Sequence, residues 1–234
     1  MTTAAETLAA LLEQTAPLSP VERTARLLPA PAALQHLLPD GGLMRGTAVE
    51  IADMGLLLAM AGAAVTHPDG ILELTGWCAA IGLPELGLLA ATRHGIDPDR
   101  LLVVDQPGQH WADIVLAMLP AVDAVLTAVP ERLEPRLAHR INAAVRKNRA
   151  VLLTTGTWQG SQLRMSADES RFYGLGAGHG LISGRQVTVT VTGRGAAGGV
   201  GRRARVWLPD EHGRLSAMDE LAGETASPRG LSAV

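Results

Sequence analysis

The chain is poor in lysine, cysteine and aromatic residues. One lysine, Lys147, and one cysteine, Cys78, occur in 234 residues, together with four Trp, one Tyr and one Phe. A lone cysteine excludes an internal disulfide and agrees with a reducing cytosol. Because aromatic rings are few, the core has to be built from Leu, Val, Ala and Ile, the usual filling between helices and a sheet.

Long hydrophobic runs are missing as well. The longest apolar stretch, from Met54 to Val65, is shorter than the roughly 20 residues that span a bilayer. The first residues lack the positive start and the cleavage pattern of a signal peptide. We therefore expect a cytoplasmic protein with no membrane partner.

The overall charge gives no general attraction to nucleic acid. The formal net charge is −3, with 18% charged and 47% hydrophobic residues, which is typical of a compact folded chain. Any affinity for nucleic acid must therefore be local.

Three regions are predicted along the chain. Residues 1–38 carry two helix-start signatures, which indicate a short N-terminal helical segment. Residues 39–209 form the predicted core, and residues 210–234 a polar, flexible tail.

Segments typical of strands and helices alternate through most of the core. Short apolar runs predict strands at 47–51, 71–74, 101–104, 124–129 and 151–155, and longer runs predict helices at 56–65, 84–94, 111–119 and 132–146. This rhythm predicts an α/β fold with a mostly parallel sheet and helices on both faces. Such folds bind ligands at the carboxyl ends of their strands.

The pattern changes after Thr155. Residues 156–184 are polar and rich in glycine, and they yield no predicted element. Residues 186–192 and 203–208 each alternate apolar and polar side chains. That alternation predicts an antiparallel strand pair added to the sheet.

A phosphate-binding loop is missing where the sequence suggests one. Such a loop needs a lysine between Gly and Ser or Thr directly after a strand, but Lys147 stands between Arg146 and Asn148 in a helical pattern. The sequence LPDGGLMRGTAVEI, residues 38–51, resembles the opening of the RecA core, where that loop follows the strand. Here only residues 52–55 precede the predicted helix. The resemblance implies a RecA-like fold with the loop deleted and no nucleotide cofactor.

Two further catalytic parts of RecA are absent by the same comparison. Segment 122–129, where RecA ends a strand with a magnesium-coordinating aspartate, has no acid at its end. Segment 74–80 lacks the glutamate that activates water. Because phosphoryl transfer depends on positioning and charge neutralisation, we expect a chain that is not an enzyme.

Shorter strings narrow the resemblance. The DGGLMRG–TAVEI entry and the strings GWCAA (76–80), YGLGAGHG (173–180) and RARVWLP (203–209) are similar to the actinobacterial RecA-like mutasome family called ImuA-prime, over roughly residues 35–210. The resemblance implies an accessory of SOS-induced translesion DNA synthesis. Its implied partners are ImuB, an inactive relative of the Y-family polymerases, and indirectly the sliding clamp and an error-prone C-family polymerase. Self-association is a further expectation, since RecA-type proteins commonly associate head to tail.

One block of the sequence is strongly basic. No Asp or Glu occurs from residue 171 to residue 209. Alternation predicts that Arg203, Arg205 and Trp207 share one face of their strand, which offers charge and stacking surface to single-stranded DNA or to a partner. The alternative is a solvated edge strand whose guanidinium groups oppose aggregation. The candidate contact residues are Arg171, Tyr173, His179, Arg185, Arg194, Arg202, Arg203, Arg205 and Trp207.

Apolar residues near both ends are candidates for docking a partner. One group shares a predicted helix face, and the other forms a short helical pattern in the tail, so either suits a helix-in-groove contact. For the tail, the alternative is a passive, frayed terminus. The candidates are Leu8, Leu11 and Leu12 in the first group and Leu215, Met218 and Leu221 in the second.

Other motifs give weaker signals. Residues 193–198 satisfy G-x-G-x-x-G but lie between predicted antiparallel strands, which favours a hairpin loop. The histidines do not pair at metal-ligand spacing, so no metal site is expected. No G-x-S-x-G elbow of a hydrolase occurs.

Three functions remain open at this point. The first is a non-catalytic assembly factor in translesion synthesis. The second is a modulator of recombination that binds single-stranded DNA or the RecA filament. The third is an unrecognised enzyme on a P-loop-derived fold, which would need a convergent polar pocket that the sequence does not show.

Overall fold

The computed structural model describes residues 26–66, 76–175, 180–193 and 201–218. The strands are β1 (Leu27–Leu28), β2 (Leu43–Met44), β3 (Ala48–Ile51), β4 (Cys78–Ile81), β5 (Leu101–Val104), β6 (Ala124–Thr127), β7 (Val151–Thr154), β8 (Leu163–Leu175), β9 (Gly180–Gly193), β10 (Arg202–Trp207) and β11 (Ser216–Ala217). The α-helices are α1 (Met54–Val65), α2 (Leu88–Arg93), α3 (Trp111–Met118) and α4 (Pro135–Asn148).

Nine of the described strands form one sheet, in the order β11-β10-β9-β8-β3-β7-β6-β4-β5. The six neighbouring strands β8, β3, β7, β6, β4 and β5 run parallel to one another. The strands β9, β10 and β11 are antiparallel to their neighbours. The predicted α/β class, with a mostly parallel sheet, helices on both faces and an antiparallel strand pair near the C-terminus, is confirmed.

Helices cover both faces of the parallel strands because alternate strand residues enter two separate cores. In β7, for example, Val151 and Leu153 pack in the core that contains α1, whereas Leu152 packs in the core that contains α3 and α4. All four residues of β7 are buried. Strands buried on both faces explain why the sequence shows continuous apolar runs here and not alternation.

Helix α1 lies in the centre of the first core. Most of its residues are buried on every side, which is the pattern of an enclosed helix. Its Gly62 approaches the His94 carbonyl at the end of α2 so closely that a Cβ would overlap it. The helix predicted at 84–94 is shorter in the structure, where α2 begins at Leu88 and ends at Arg93.

Besides the two-residue strands β1, β2 and β11, two longer strands were not predicted from the sequence. One is β4, which follows the predicted strand 71–74; that prediction lies outside the described residues. The other is β8, which occupies much of the polar segment 156–184. Its residues from Asp168 to Phe172 are exposed, so they carry no apolar alternation, and its pairing with β9 depends on backbone groups.

The described parts of both terminal regions contact the core. In the N-terminal region, a 3-10 helix, Ala32–Leu37, buries Leu34 and Leu37. In the tail, β11 pairs with β10, and Leu215 packs against the core in an extended stretch. The helix predicted to begin at Leu215 is therefore wrong for residues 215–218, and its remainder lies outside the described residues.

No helix among the described residues has the length and apolar character needed to cross a membrane.

Candidate functional site

The carboxyl end of β3 is where a phosphate loop would stand. Two residues, Ala52 and Asp53, separate β3 from α1. The Asp53 carboxylate accepts a hydrogen bond of 2.9 Å from the Leu56 amide and so caps the helix. It also pairs with the Arg185 guanidinium of β9, and both side chains are 17% exposed. The Asp53 carboxylate therefore neutralises both the positive N-terminal end of α1 and the Arg185 guanidinium.

A second carboxylate near this edge is also fully engaged. Glu50, on β3, accepts hydrogen bonds from the Trp158 amide at 2.9 Å, the Ser161 hydroxyl at 2.7 Å and the Arg164 Nε at 2.6 Å. Burial raises the pKa of Glu50, but the bonds from Arg164, Trp158 and Ser161 outweigh it and hold the pKa below its usual value. Glu50 therefore ties β3 to the β7–β8 connection as an ionised carboxylate.

Strand β6 ends in a hydroxyl that points into the protein. The buried Thr127 Oγ1 accepts a 2.7 Å hydrogen bond from the Trp111 Nε1 and donates one of 2.9 Å to the Ile81 carbonyl. The nearest acid of this segment, Asp123, lies before the strand and pairs with Arg45 at 2.9 Å. The geometry at the end of β6 is therefore that of a packed core and not of a metal ligand.

The candidate arginines of the basic block do not share one surface. Arg185 is paired with Asp53. Arg202 donates to the His36 carbonyl at 3.1 Å, on the sheet face opposite Arg203 and Arg205. Arg171, Arg203 and Arg205 are exposed. The candidates Arg194 and His179 lie outside the described residues, as do Leu8, Leu11, Leu12 and Leu221.

Acidic residues from β8 border the exposed arginines. Arg205 lies opposite Thr188 of β9, and Thr188 lies opposite Asp168 of β8, so the three share one face of the sheet. The neighbouring Glu169 accepts a 2.6 Å hydrogen bond from the Thr188 hydroxyl. The run without acids is therefore a property of the sequence alone, because the fold places carboxylates two strands away.

A cavity of about 400 Å³ opens beside this face. Tyr173 and Trp207 form part of its wall, with ring centroids 4.9 Å apart and planes 67° apart. The sequence identified these two aromatic residues but missed the rest of the lining, which is Ser183, Gly184, Asp210, Glu211, His212 and Ser216. Pro209, Asp210 and Gly213 are typical turn residues and could have predicted a turn here. The sequence analysis instead assigned Asp210 and Glu211 to a flexible tail.

The Asp210 carboxylate is fixed by its own turn. Its Oδ1 accepts hydrogen bonds of 2.9 Å from the amides of His212 and Arg214. Burial raises the pKa of Asp210, but the bonds from Arg214, Ser216 and His212 outweigh it and hold the pKa below its usual value. The cavity therefore presents a stable negative charge next to two aromatic rings.

Metal and thiol chemistry have no evident site in the described part of the chain. No group of three or more His, Cys, Asp or Glu residues there is arranged to hold a metal ion. Burial, with a contribution from the charge of Asp123, raises the pKa of the Cys78 thiol to about 12. A buried thiol that stays protonated is a poor nucleophile.

The chain is similar to known proteins in sequence and in structure. Residues 36–160 match the model of the MT3502 N-terminal domain family. Uncharacterized protein Rv3395c of Mycobacterium tuberculosis (strain ATCC 25618 / H37Rv) is 30% identical over 141 residues, which are 58% of this chain and 66% of that protein. The crystal structure of KaiC-like protein PH0186 from Pyrococcus horikoshii OT3 covers 83% of this chain and 99% of its own, with 12% identity and a TM-score of 0.49. Because the family model matches more than half of its residues, the chain belongs to the MT3502 N-terminal domain family.

Proposed function

We propose that this chain is a non-catalytic, RecA-like accessory protein of damage-induced translesion DNA synthesis. The observation that carries the proposal is the occupied helix end after β3, where Asp53 caps α1 and pairs with Arg185. In this role the protein assembles other proteins and hydrolyses no nucleotide.

The physical argument concerns what a phosphate needs. Phosphate sites at helix ends use free backbone amides, the helix dipole and a nearby cation. Here the Leu56 amide and the Arg185 guanidinium are both directed at the Asp53 carboxylate. A nucleotide would have to displace that carboxylate and then lie beside its negative charge. These features favour a scaffold role over phosphoryl transfer.

Exposed apolar residues support a role in protein assembly. Phe172, Leu181 and Ile182 lie towards one end of the β8–β9 pair and are 52%, 87% and 56% exposed. Exposed apolar side chains that cluster often mark protein contacts. The ImuA-prime resemblance supplies the proposed partners, which are an ImuB-type protein and, through it, an error-prone C-family polymerase.

Titration calorimetry with ATP and Mg²⁺ tests the missing nucleotide site. We expect no saturable heat, because the anion position is already filled. Saturable binding in the micromolar range would contradict a non-catalytic role and favour an unrecognised enzyme.

Co-purification with an ImuB-type protein from damage-treated cells tests the assembly role. Two variants then separate the contact surfaces. Deletion of residues 219–234 leaves β11 intact and tests the tail, and the pair Phe172→Asp with Leu181→Asp tests the β8–β9 end. Failure of the wild-type chain to recover the partner would contradict the proposed assembly.

A second function keeps one specific observation in its favour. Arg203, Arg205 and Trp207 occupy alternate positions of β10, and the two arginines are exposed. Cations beside an aromatic ring suit a single strand, whose phosphates and bases both find partners. A single-stranded DNA or RecA-filament modulator is therefore the alternative proposal.

A further inference from the structure

We propose that the cavity beside Tyr173 and Trp207 binds a compact organic cation, a guanidinium or ammonium group carried on a side chain or a small amine. This inference is independent of the proposed role in translesion synthesis. It assigns to the antiparallel end of the sheet a ligand whose charge is opposite to that of DNA.

The backbone shapes the cavity for two aromatic walls. Tyr173 lies opposite Gly184 in the β8–β9 ladder, and Trp207 lies opposite Gln186 in the β9–β10 ladder. A Cβ at Gly184 would stand 3.2 Å and 3.3 Å from atoms of the Trp207 ring, so the glycine lets the indole lie close to β9. The Tyr173 hydroxyl is held by Gln186 at 3.2 Å. The two rings are therefore fixed at a steep angle before any ligand binds.

The charges on the lining select for a cation. Asp210 has its carboxylate fixed by the two amide bonds of its turn, and Glu211 is exposed at the same wall. No Lys or Arg belongs to the lining, and its His212 lies 3.9 Å from Glu211. An aromatic face attracts a cation through its negative quadrupole, and a neighbouring carboxylate adds to that attraction. An anionic ligand would meet like charge on the same wall.

The size of the cavity limits the ligand. About 400 Å³ is near the lower end of the range for small-molecule sites and suits one long side chain or a small amine. The cavity is partly open to solvent, so a ligand group can enter it. The same cation can arrive on a partner polypeptide or as a free metabolite.

Nuclear magnetic resonance tests the proposal on the full chain. The indole N–H signal of Trp207 is assigned with the variant Trp207→Phe. It is followed while Nα-acetylarginine amide (hereafter arginine amide) or Nα-acetylcitrulline amide (hereafter citrulline amide), its uncharged isostere, is added. We expect arginine amide to shift the signal saturably and citrulline amide to leave it in place. Equal shifts by both compounds, or none by arginine amide at saturating concentration, would overturn the proposal.

Matched variants assign the charge to Asp210. Asp210→Asn keeps an oxygen acceptor for the His212 and Arg214 amides, so the turn is preserved while the charge is removed. We expect its affinity for arginine amide to fall about tenfold, as loss of a charge-assisted contact predicts. Asp168→Asn, on the same sheet face outside the lining, should bind as the wild type does. An unchanged affinity in Asp210→Asn, or an equal loss in Asp168→Asn, would contradict the assignment.

Two further ligands separate the sources of the cation. Tighter binding of an arginine-containing peptide than of arginine amide would indicate a polypeptide partner. Tighter binding of agmatine would indicate a free amine, and either result supports the cation site. A short single-stranded oligonucleotide that shifts the Trp207 signal when arginine amide does not would return the cavity to the DNA-binding alternative.

Discussion

The parallel and antiparallel halves of the sheet differ in whether their charged side chains are paired within the chain or exposed to solvent. In the parallel half, Asp53, Glu50 and Asp123 each pair with an arginine of the chain. In the antiparallel half, Arg203, Arg205 and the cavity acid Glu211 are exposed. The carboxylates near the parallel strands are therefore paired within the chain, whereas the antiparallel half presents charged groups to solvent.

The difference follows from how each half is covered. Parallel strands carry helices on both faces, so a polar group near their ends loses water and needs an internal partner. The antiparallel strands bury one face, with Val187, Val189 and Val191 inward, and leave the other face open. The charged side chains that remain exposed therefore lie on the sheet face that folding does not bury. Four changes test this contrast.

The largest expected effect is that of a single methyl group in the parallel half. Gly62→Ala would place a Cβ on the His94 carbonyl oxygen, which is backbone and cannot rotate away. We expect a loss of about 3 kcal/mol in unfolding free energy, the upper end for overpacking. Urea denaturation measures it, with Gly87→Ala as control, because a Cβ there meets only Ala90 at 3.7 Å. Tolerance of Gly62→Ala would show that α1 and α2 separate readily.

The next effect is the charge of Glu50, and it depends on pH. Removing the carboxylate by Glu50→Gln should cost about 2 kcal/mol, as expected for hydrogen bonds to a charged group. Because the folded pKa is depressed, this stabilisation is complete above the unfolded pKa of about 4.3 and is lost as the pH falls through the lower folded value. Denaturation curves from neutral pH to about pH 3 measure the difference between variant and wild type. Glu85→Gln, at an exposed position, is the control for the substitution itself, and a Glu50 difference that stays constant with pH would contradict the pKa direction.

A smaller effect is expected at the N-terminal end of α1, which Asp53 caps. Asp53→Ala removes the helix cap and should cost about 1 to 2 kcal/mol. It also frees the helix end and Arg185, so we expect the variant, unlike the wild type, to be stabilised by added sulfate. Thermal melts in increasing sulfate measure this against Asp97→Ala, which removes the cap of a 3-10 turn elsewhere. A wild type that gains as much from sulfate as Asp53→Ala would show that Asp53 does not occupy an anion position.

The smallest effect on stability is expected in the antiparallel half. Replacing Arg203 and Arg205 with Ala should change the unfolding free energy by less than about 0.5 kcal/mol, as for most exposed positions. If the alternative function holds, the same variant weakens single-stranded DNA binding and lowers its salt slope by about 0.7 for each lost phosphate contact. Fluorescence anisotropy at several salt concentrations measures the slope, with Arg136→Ala and Arg140→Ala on α4 as controls. An unchanged slope, or no DNA binding by the wild type, would leave these arginines as solvated edge residues.

Local pattern was enough for the elements whose side chains report their surroundings. The runs at β3, β5, β6 and β7 were predicted to within two residues because their residues are mostly apolar. Strands β3, β6 and β7 are buried, whereas the edge strand β5 is partly exposed. The antiparallel pair was predicted because one face is buried and the other is not. Strand β8 was not predicted because its second part is exposed and is held in the sheet by backbone hydrogen bonds, which nearly any residue can make.

The sequence by itself determined the fold class, the missing phosphate loop and the aromatic candidates Tyr173 and Trp207, because each depends on residue types and their spacing along the chain. Only the tertiary structure decided which charges meet. It paired Arg185 with Asp53, 132 positions away, and brought Asp168 and Asp210 to a surface that the sequence marked as basic. Electrostatic interactions act through space, so the sign of a surface is set where strands become neighbours and not where residues follow one another.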